Sequence, residues 1–247
     1  MQIRFRTRPI RSTEELRAAY NASHEGEELL QITSFYLWIF SFLSPRLGSK
    51  FLDISCGRGS LLRLAQGWGL AVYGADLSDK AVRQANDMLG ARRVVVADAE
   101  HLPFGDDEFQ YVTNIGSIEH YLHPEQGVAE IVRVLDPAGI ACILLPNSYS
   151  LLENIWTVWR TGDVGDQRQP MERYATRAQW ERLLTDQGLI IYKTGRYNMP
   201  VPHVFSDWGW YLRRPRRLLW LLAAGFVPFN LSGCFVFLCK KRKLNEG

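Results

Sequence analysis

Beyond Lys50 the chain alternates short runs of apolar residues with longer amphipathic stretches. Strands that are separated by helices in this way pack as a mostly parallel sheet with helices on its faces. The apolar runs predict seven strands, which lie over residues 51–54, 71–75, 93–97, 111–115, 140–145, 189–194 and 234–239. Helical periodicity predicts the connecting helices, at residues 60–67, 78–89, 124–135 and 176–187. The alternation therefore predicts an α/β fold.

An N-terminal helical segment precedes this alternation. Residues 12–45 read as largely helical because Ser12 or Thr13 can cap a helix and apolar residues recur at helical spacing, namely Leu29, Ile32, Tyr36, Ile39, Phe40 and Leu43. Ser78 and Thr176 are placed in the same way to cap two of the later helices.

The charge and the cysteine content argue against several classes of function. The formal net charge of +3 is small, so the chain as a whole lacks the basic excess of a nucleic-acid-binding protein. The cysteines form no C-x-x-C pair and indicate neither a zinc site nor a disulfide framework; they are Cys56, Cys142, Cys234 and Cys239. Residues 1–11 lack the apolar stretch of a secretory signal. These features predict a cytoplasmic protein.

The first predicted strand runs directly into a glycine-containing loop, Asp53-Ile54-Ser55-Cys56-Gly57-Arg58-Gly59. Gly57 and Gly59 let the backbone turn sharply and approach a ligand closely, and Ser60 opens a helix whose first N–H groups are unpaired. This arrangement is typical of a nucleotide-binding turn. Two glycines at such a junction are also compatible with an ordinary connection between a strand and a helix.

Residues downstream of the loop discriminate between kinds of nucleotide. A dinucleotide site has a third glycine three residues after the second, but Leu62 occupies that position. The second predicted strand ends in Asp76, about 20 residues beyond the loop, where a carboxylate can reach the hydroxyls of an adenosine ribose. The third ends in Asp98, whose carboxylate could accept a hydrogen bond from an adenine amino group. Acidic residues are common in loops, but aspartates at three successive strand ends favour an adenosine-containing ligand.

Residues 51–59 resemble the first motif of the class I S-adenosylmethionine-dependent methyltransferases, which reads hydrophobic-Leu-Asp-x-Gly-Cys-Gly-x-Gly. Ser55 stands where that family most often has glycine, a small-for-small change that the loop should tolerate. The likeness continues in the same order through further segments, at residues 74–78, 97–104, 109–112, 117–120 and 135–139. The resemblance implies a Rossmann-like, doubly wound sheet of seven mostly parallel strands whose final strand, here 234–239, is antiparallel.

The same resemblance implies that the cofactor is S-adenosylmethionine. Gly57 and Gly59 would line its methionine part, and Asp76 would bind the ribose hydroxyls. Asp98 with Ala99 would meet the adenine. The full set of expected cofactor-binding residues is Asp53, Ser55, Cys56, Gly57, Gly59, Asp76, Leu77, Asp98, Ala99, Asn114 and Ile115.

The motifs and the length of 247 residues predict a single methyltransferase domain. We expect it to consist of an N-terminal helical cap (1–48), a cofactor-binding core (49–147) and a substrate-side half (148–247) with insertions at 149–174 and 198–229.

Methyl transfer from a sulfonium is an in-line displacement, so much of the rate comes from holding the acceptor near attack geometry. The enzyme must in addition remove a proton from the acceptor. Candidates for that step follow the fourth predicted strand. His120 is the preferred general base, because an imidazole with its ordinary pKa can take a proton from a hydroxyl at neutral pH. Glu119 beside it is a second candidate catalytic residue. His120 could instead be structural, and His203 is a weaker alternative base.

Glu119 and His120 also resemble part of the Glu-x-x-Glu-His metal motif of ubiquinone-pathway O-methyltransferases. Gly116 occupies the position of the first glutamate. A hard divalent cation would lack an oxygen ligand there, so we predict no metal site.

The two insertions are expected to recognise the acceptor, in a pocket walled by Tyr20, Tyr36, Trp156 and Trp159. In the second insertion, four arginines (Arg213, Arg214, Arg216 and Arg217) precede an apolar run over 218–229. That run is too short to span a bilayer, which takes about 20 residues. Residues 212–229 could lie at the inner membrane face as an interfacial helix, or they could form a lid or a pocket wall.

The sequence thus predicts an enzyme that moves a methyl group to an oxygen, or less readily a nitrogen, of a small metabolite, sugar or lipid-linked acceptor. A cofactor-binding scaffold without catalytic activity is the alternative from a different class. An NAD-dependent oxidoreductase is disfavoured by Leu62.

Overall fold

The computed structural model describes residues 1–5, 9–23, 33–163 and 170–242, so the predicted helical positions Leu29 and Ile32 lie outside the described residues. The strands are β1 (Gln2–Phe5), β2 (Lys50–Ile54), β3 (Ala71–Asp76), β4 (Val94–Val96), β5 (Phe109–Ile115), β6 (Leu135–Pro146), β7 (Met171–Tyr174), β8 (Leu189–Tyr197) and β9 (Cys234–Lys241). The α-helices are α1 (Thr13–Ser23), α2 (Thr33–Leu43), α3 (Ser60–Gly67), α4 (Asp79–Leu89), α5 (Pro124–Val134), α6 (Trp156–Thr161), α7 (Arg177–Asp186), α8 (Phe205–Leu212) and α9 (Pro215–Ala223). Shorter helical turns cover Ile118–His120, Leu151–Ile155, Ala224–Phe226 and Phe229–Leu231.

Seven of these strands form one sheet in the order β4-β3-β2-β5-β6-β9-β8. The strands from β2 to β6 run parallel to their neighbours, whereas β9 is antiparallel to both β6 and β8. The strand order reverses between β2 and β5, and in open α/β sheets ligands bind beyond the carboxyl ends of the strands at such a point. The predicted α/β fold with an antiparallel final strand is confirmed.

The two faces of the sheet are covered by separate hydrophobic layers. Phe51 of β2 faces a layer that includes Phe35 of α2 and Leu62 of α3. Leu52, the next residue along the strand, faces the layer of α5 and α7, in which Trp180 is fully buried. Side chains alternate between the faces of a strand, so a strand covered on both sides is apolar at nearly every position. This is why short continuous apolar runs predicted the strands correctly.

β6 and β8 extend furthest beyond their predicted bounds, because their neighbours extend the pairing. β6 begins at Leu135 rather than at residue 140, since Leu135 pairs with Phe109 of β5 across an irregularity in the register. β8 continues to Tyr197, which pairs with Cys234 of β9.

The predicted helix caps at Ser78 and Thr176 are confirmed. Ser78 Oγ accepts a hydrogen bond from the Ala81 amide of α4, and Thr176 forms a reciprocal capping box with Gln179 of α7. Such caps satisfy amide groups that the first helical turn leaves unpaired.

A second, two-stranded sheet was not predicted. β1 pairs antiparallel with β7, so that Gln2 lies opposite Tyr174 and Phe5 lies opposite Met171. Each strand has four residues, which is too short for a period to be recognised in the sequence. The pairing joins the start of the chain to the first of the predicted insertions.

Candidate functional site

The glycine loop and the end of β3 are held together by one carboxylate. Asp76 Oδ2 accepts a hydrogen bond from the Gly57 amide at 2.8 Å, and Asp76 Oδ1 accepts one from the Ser78 amide at 2.8 Å. The predicted residues Gly57 and Asp76 are therefore brought together at the carboxyl edge of the sheet. Leu77 lies between Asp76 and Ser78 in the same turn.

Three residues of the loop adopt the left-handed backbone conformation: Ser55 (φ 60°), Gly57 (φ 54°) and Gly59 (φ 81°). Glycine takes this conformation without a steric penalty, whereas a residue with a Cβ does not. The backbone of Ser55 explains why glycine is frequent at this position in the family that the sequence resembles. A Cβ on Gly57 would meet open space, so a ligand can approach the loop backbone there.

Ser55 makes a contact that glycine could not. Its Oγ lies 3.0 Å from the hydroxyl of Tyr121, which follows the short helix after β5. The Tyr121 hydroxyl also accepts a hydrogen bond of 2.6 Å from Asn114 Nδ2 at the end of β5. Tyr121 thus links the glycine loop to β5, and the sequence, which placed Tyr121 in the segment after the fourth predicted strand, did not reveal these two contacts.

We expect Ser55→Gly to be about 1 kcal/mol more stable than Ser55→Ala, although the two changes remove the same hydrogen bond to Tyr121. Only alanine retains the cost of a left-handed backbone, which is roughly 1–2 kcal/mol. Denaturant unfolding of the two variants measures the difference. Equal free energies of unfolding would show that the loop relaxes out of the left-handed region.

Leu62 fills the space that a third glycine would leave open. Its side chain is fully buried, and a Cβ on Gly74 of β3 would come within 2.7 Å of Leu62 Cδ1. The residue without a side chain is therefore Gly74 on β3, and Leu62 of α3 packs over this glycine. This packing agrees with the expectation that the loop does not serve a dinucleotide.

Asp53 is the penultimate residue of β2, beneath the loop, and is almost completely buried. Its Oδ1 accepts a hydrogen bond of 2.7 Å from Thr113 Oγ1 on the neighbouring strand. Burial raises the pKa of the Asp53 carboxyl to about 7, with Asp76 adding to the shift and the bond from Thr113 opposing it. A cationic group nearby would favour the ionised form of Asp53.

Helix α1 lies against the same edge of the sheet. Thr13 Oγ1 donates a hydrogen bond of 3.0 Å to Asp98 Oδ2, while the Glu100 amide donates to Asp98 Oδ1. Asn21 contacts the start of α4, since it accepts a hydrogen bond from Ser78 Oγ at 2.6 Å. Sequence reasoning identified Asp98 and Ser78 but missed Thr13 and Asn21, because no local pattern marks a contact across so many residues.

Asn114 is fully buried at the carboxyl end of β5, and its Oδ1 has no hydrogen-bond partner among the described residues. Its amide group is already engaged with Tyr121. Buried polar atoms are usually hydrogen-bonded, so an oxygen left over beside an open loop indicates a place for a ligand. Ile115 follows Asn114 and is half-buried, and Ala99, after Asp98, is buried.

His120 and Glu119 lie together in the short helix after β5. His120 Nδ1 is 2.5 Å from the carbonyl oxygen of Met171 in β7, so Nδ1 carries the proton and Nε2 is left as an acceptor. His120 Nε2 lies 3.7 Å from Glu119 Oε1. Glu119 Oε2 is buried without a hydrogen-bond partner in the described part of the chain.

The pKa values of this pair depart from their ordinary values in opposite directions. Burial lowers the pKa of the His120 imidazole to about 4, although the bond to Met171 opposes this shift. Burial raises the pKa of the Glu119 carboxyl to about 8. Both side chains are consequently neutral at pH 7. The expectation that His120 would keep its ordinary pKa was wrong, because the sequence does not reveal that β7 covers it.

Arg173 of β7 holds the segment that follows His120. It donates hydrogen bonds to the carbonyl oxygens of Tyr121 and Leu122, and its own side chain is buried. The strand pair β1–β7 thus fixes both His120 and the backbone behind it.

A sequence profile described as a methyltransferase domain matches residues 52–143 of this chain. The matched range contains the glycine loop, Asp76, Asp98 and the segment with Glu119 and His120. Residues 52–143 are therefore similar to a methyltransferase domain.

Two curated methyltransferases are similar to part of this chain. A demethylmenaquinone methyltransferase of Clavibacter sepedonicus is 32% identical over 132 residues, which cover 51% of this chain and 53% of that protein. A ubiquinone/menaquinone biosynthesis C-methyltransferase, UbiE, of Pseudomonas putida is 36% identical over 109 residues, which cover 40% and 42%. The chain spans about half the length, or less, of these curated relatives.

A solved structure of similar fold comes from the complex between the Haloferax volcanii Trm112 methyltransferase activator and its methyltransferase. It has a TM-score of 0.66 at 18% identity and covers 96% of this chain and 100% of that chain. At this identity the likeness concerns the class I methyltransferase fold alone.

The remaining residues that the sequence singled out lie in different parts of the structure. Gly116 has a φ of 65°, and the described residues contain no group of three or more His, Cys, Asp or Glu side chains that could hold a metal ion. Tyr20 lies edge-on to His120, with ring centroids 6.4 Å apart. Trp156 and Trp159 pack on each other and are largely exposed. His203 is exposed, and its backbone amide donates to Ser34 Oγ.

Proposed function

We propose that this chain transfers a methyl group from S-adenosylmethionine to an oxygen of a small or lipid-linked acceptor. The observation that carries the proposal is the joining of the left-handed glycine loop to Asp76 at the point where the strand order reverses. A neutral His120 and Glu119 lie next to the strand end that follows, where an acceptor hydroxyl would have to lose its proton.

The residues at the carboxyl edge fit the cofactor by their chemistry. The loop backbone is open above Gly57, and the Asp76 carboxylate that binds the Gly57 amide is of a kind that accepts hydrogen bonds from hydroxyl groups such as those of a ribose. We assign Asp98 and Ala99 to the adenine, and Asp53 beneath the loop to the neighbourhood of a cationic amino group, which would favour its ionised form. When bound, S-adenosylmethionine supplies an electrophilic methyl group.

We place the other predicted cofactor residues by the same geometry. Ser55 and Cys56 form the turn that leads to Gly57, and Gly59 begins α3 behind it. Leu77 follows Asp76, while Asn114 and Ile115 end β5 on the opposite side of the crevice. The unpartnered Oδ1 of Asn114 is available to a bound ligand.

The chain's own residues account for proton removal. His120 Nε2 has a free lone pair, because Met171 holds the proton on Nδ1. When Nε2 takes a proton, the resulting imidazolium lies 3.7 Å from a Glu119 oxygen, and an ionised Glu119 stabilises it. Glu119 and His120 therefore act as one pair that must lose a proton before it serves as a base.

The proposal of an oxygen acceptor rests on the Glu119–His120 pair rather than on the names of the relatives. One relative is named a ubiquinone/menaquinone biosynthesis C-methyltransferase, and the other is named a demethylmenaquinone methyltransferase. A hydroxyl acceptor requires a base, and the pair supplies one. Transfer to oxygen is accordingly our proposal for this chain.

We expect purified protein to transfer label from methyl-labelled S-adenosylmethionine to one fraction of an extract that is separated into lipid, sugar and small-molecule fractions. Heat-denatured protein is the control. Mass spectrometry of the labelled product then locates the methyl group on oxygen. Label on carbon would refute the oxygen assignment, and cofactor binding with no labelled fraction would favour the non-catalytic scaffold.

A further inference from the structure

Helix α8 presents an apolar stripe to solvent. Phe205, Trp208 and Leu212 are spaced by three and four residues, which places them on one face of the helix, and they are 45–96% exposed. The opposite face is anchored: Tyr211 is fully buried and its hydroxyl donates to the Pro200 carbonyl at 2.7 Å. Asp207 accepts a hydrogen bond from the Ser34 amide and so caps α2. These anchors fix which side of α8 faces outward.

The next helix repeats the pattern. Leu219 and Leu222 of α9 and Phe226 of the following turn have the same spacing and are 64–90% exposed. None of the residues of α9 is fully buried. Single exposed apolar residues are common on protein surfaces, but two successive stripes are typical of a surface that binds something apolar.

The connection between the two helices is strongly basic. Arg213, Arg214, Arg216 and Arg217 are all exposed, and within the described ranges none of them is in an ion pair with a carboxylate. Arg214 and Arg217 stack on the ring of Trp210, at 4.6 and 5.4 Å from its centroid. The acidic residue of this segment, Asp207, is buried against α2. The positive charge is therefore presented to solvent without local compensation.

We propose that α8 and α9 together form a docking surface for an anionic lipid bilayer, with the apolar stripes in the interface and the arginines at the headgroups. Charge complementarity selects this partner, because a basic helix with an apolar face binds acidic membrane surfaces. Insertion across the bilayer is not involved: in the part of the chain that the structure describes, no helix has the length and hydropathy that crossing requires. The proposal goes beyond the proposed methyl transfer and is tested without cofactor or acceptor.

The test is flotation of the full chain with vesicles of phosphatidylcholine alone or of phosphatidylcholine mixed with phosphatidylglycerol. We expect the protein to float with the mixed vesicles, to remain behind with phosphatidylcholine, and to be released by high salt, which screens the arginines. A protein that floats with neither kind of vesicle would overturn the proposal. Equal flotation with both would also overturn it, because charge would then not select the partner.

Matched variants distinguish this surface from the rest of the protein. Leu219→Glu should lower the floated fraction at least ten-fold, whereas Leu47→Glu, at a still more exposed leucine after α2, should not. Arg216→Gln with Arg217→Gln should have a similar effect, and Arg92→Gln with Arg182→Gln, which removes the same charge elsewhere, should have none. Circular dichroism of each variant confirms that it is folded.

Light scattering tests whether a second copy of the chain, rather than a membrane, covers the surface formed by α8 and α9. Under the proposal, the parent and the Leu219→Glu protein have the same mass in solution. A parent dimer that becomes a monomer in Leu219→Glu, together with flotation that the variant does not reduce, would identify the surface as a contact between chains and overturn the membrane assignment.

Discussion

Asp76→Asn should weaken binding of S-adenosylmethionine about 100-fold, as measured by calorimetry. The carboxylate already accepts from the amides of Gly57 and Ser78, and we propose that it also binds two ribose hydroxyls. Hydrogen bonds to a charged group contribute about 1.5–3 kcal/mol each, and a neutral amide retains part of that. A loss of roughly 3 kcal/mol corresponds to about a 100-fold change in affinity.

The asparagine variant preserves the shape of the turn better than alanine would, because one oxygen can still accept from a backbone amide. Asp87→Asn, at an exposed carboxylate of α4, is the matched control and should bind like the parent. Unchanged affinity of the Asp76→Asn protein would refute the placement of the ribose, whatever the activity of the enzyme.

Turnover is expected to rise as the pH increases from 6 to 9, with an apparent pKa of about 8 that belongs to the Glu119–His120 pair. Below that pH the pair holds one proton on Glu119. The imidazole, whose pKa is lowered to about 4, is then a weak base. Above it Glu119 is ionised and stabilises the imidazolium that forms. Rate measurements with the acceptor identified by labelling follow this change.

Replacing either member of the pair separates their roles. His120→Ala should lower turnover by about 10²–10⁴-fold, the usual contribution of a positioned base, and leave cofactor affinity nearly unchanged. His101→Ala, at an exposed histidine, is its control. Glu119→Gln should remove the rise near pH 8 and leave a flat profile. A parent profile that is already flat above pH 6 would mean that His120 acts without Glu119, and full activity of His120→Ala would exclude it as the base.

The strand pair β1–β7 gives these predictions a structural cause. Met171 sets the tautomer of His120, and Arg173 binds the carbonyl oxygens behind it. Both come from a strand of four residues that pairs with the start of the chain. The environment of the proposed base therefore depends on residues that lie about 50 positions away in the sequence.

The sequence by itself determined the sheet and the edge at which we propose that the cofactor binds. The apolar runs ending in Asp53, Asp76 and Asp98 are local patterns, and parallel strands bring their carboxyl ends to one side whatever the details of packing. The exclusion of a dinucleotide loop by Leu62 is equally local. For the same reason the predicted caps at Ser78 and Thr176 could be recognised from a few neighbouring residues.

Only the tertiary structure decided which residues contact one another in the proposed site and how their pKa values shift. Ser55 and Tyr121 are 66 residues apart, and Thr13 and Asp98 are 85 apart, so no period or motif connects them. The pKa shifts of His120 and Glu119 depend on burial, which is a property of the folded protein and not of residue type. Backbone conformation at Ser55 likewise follows from the loop that surrounds it. The glycine loop and the aspartates thus mark the proposed cofactor site from the sequence alone, while the state of the proposed base depends on contacts that form only when distant segments pack together.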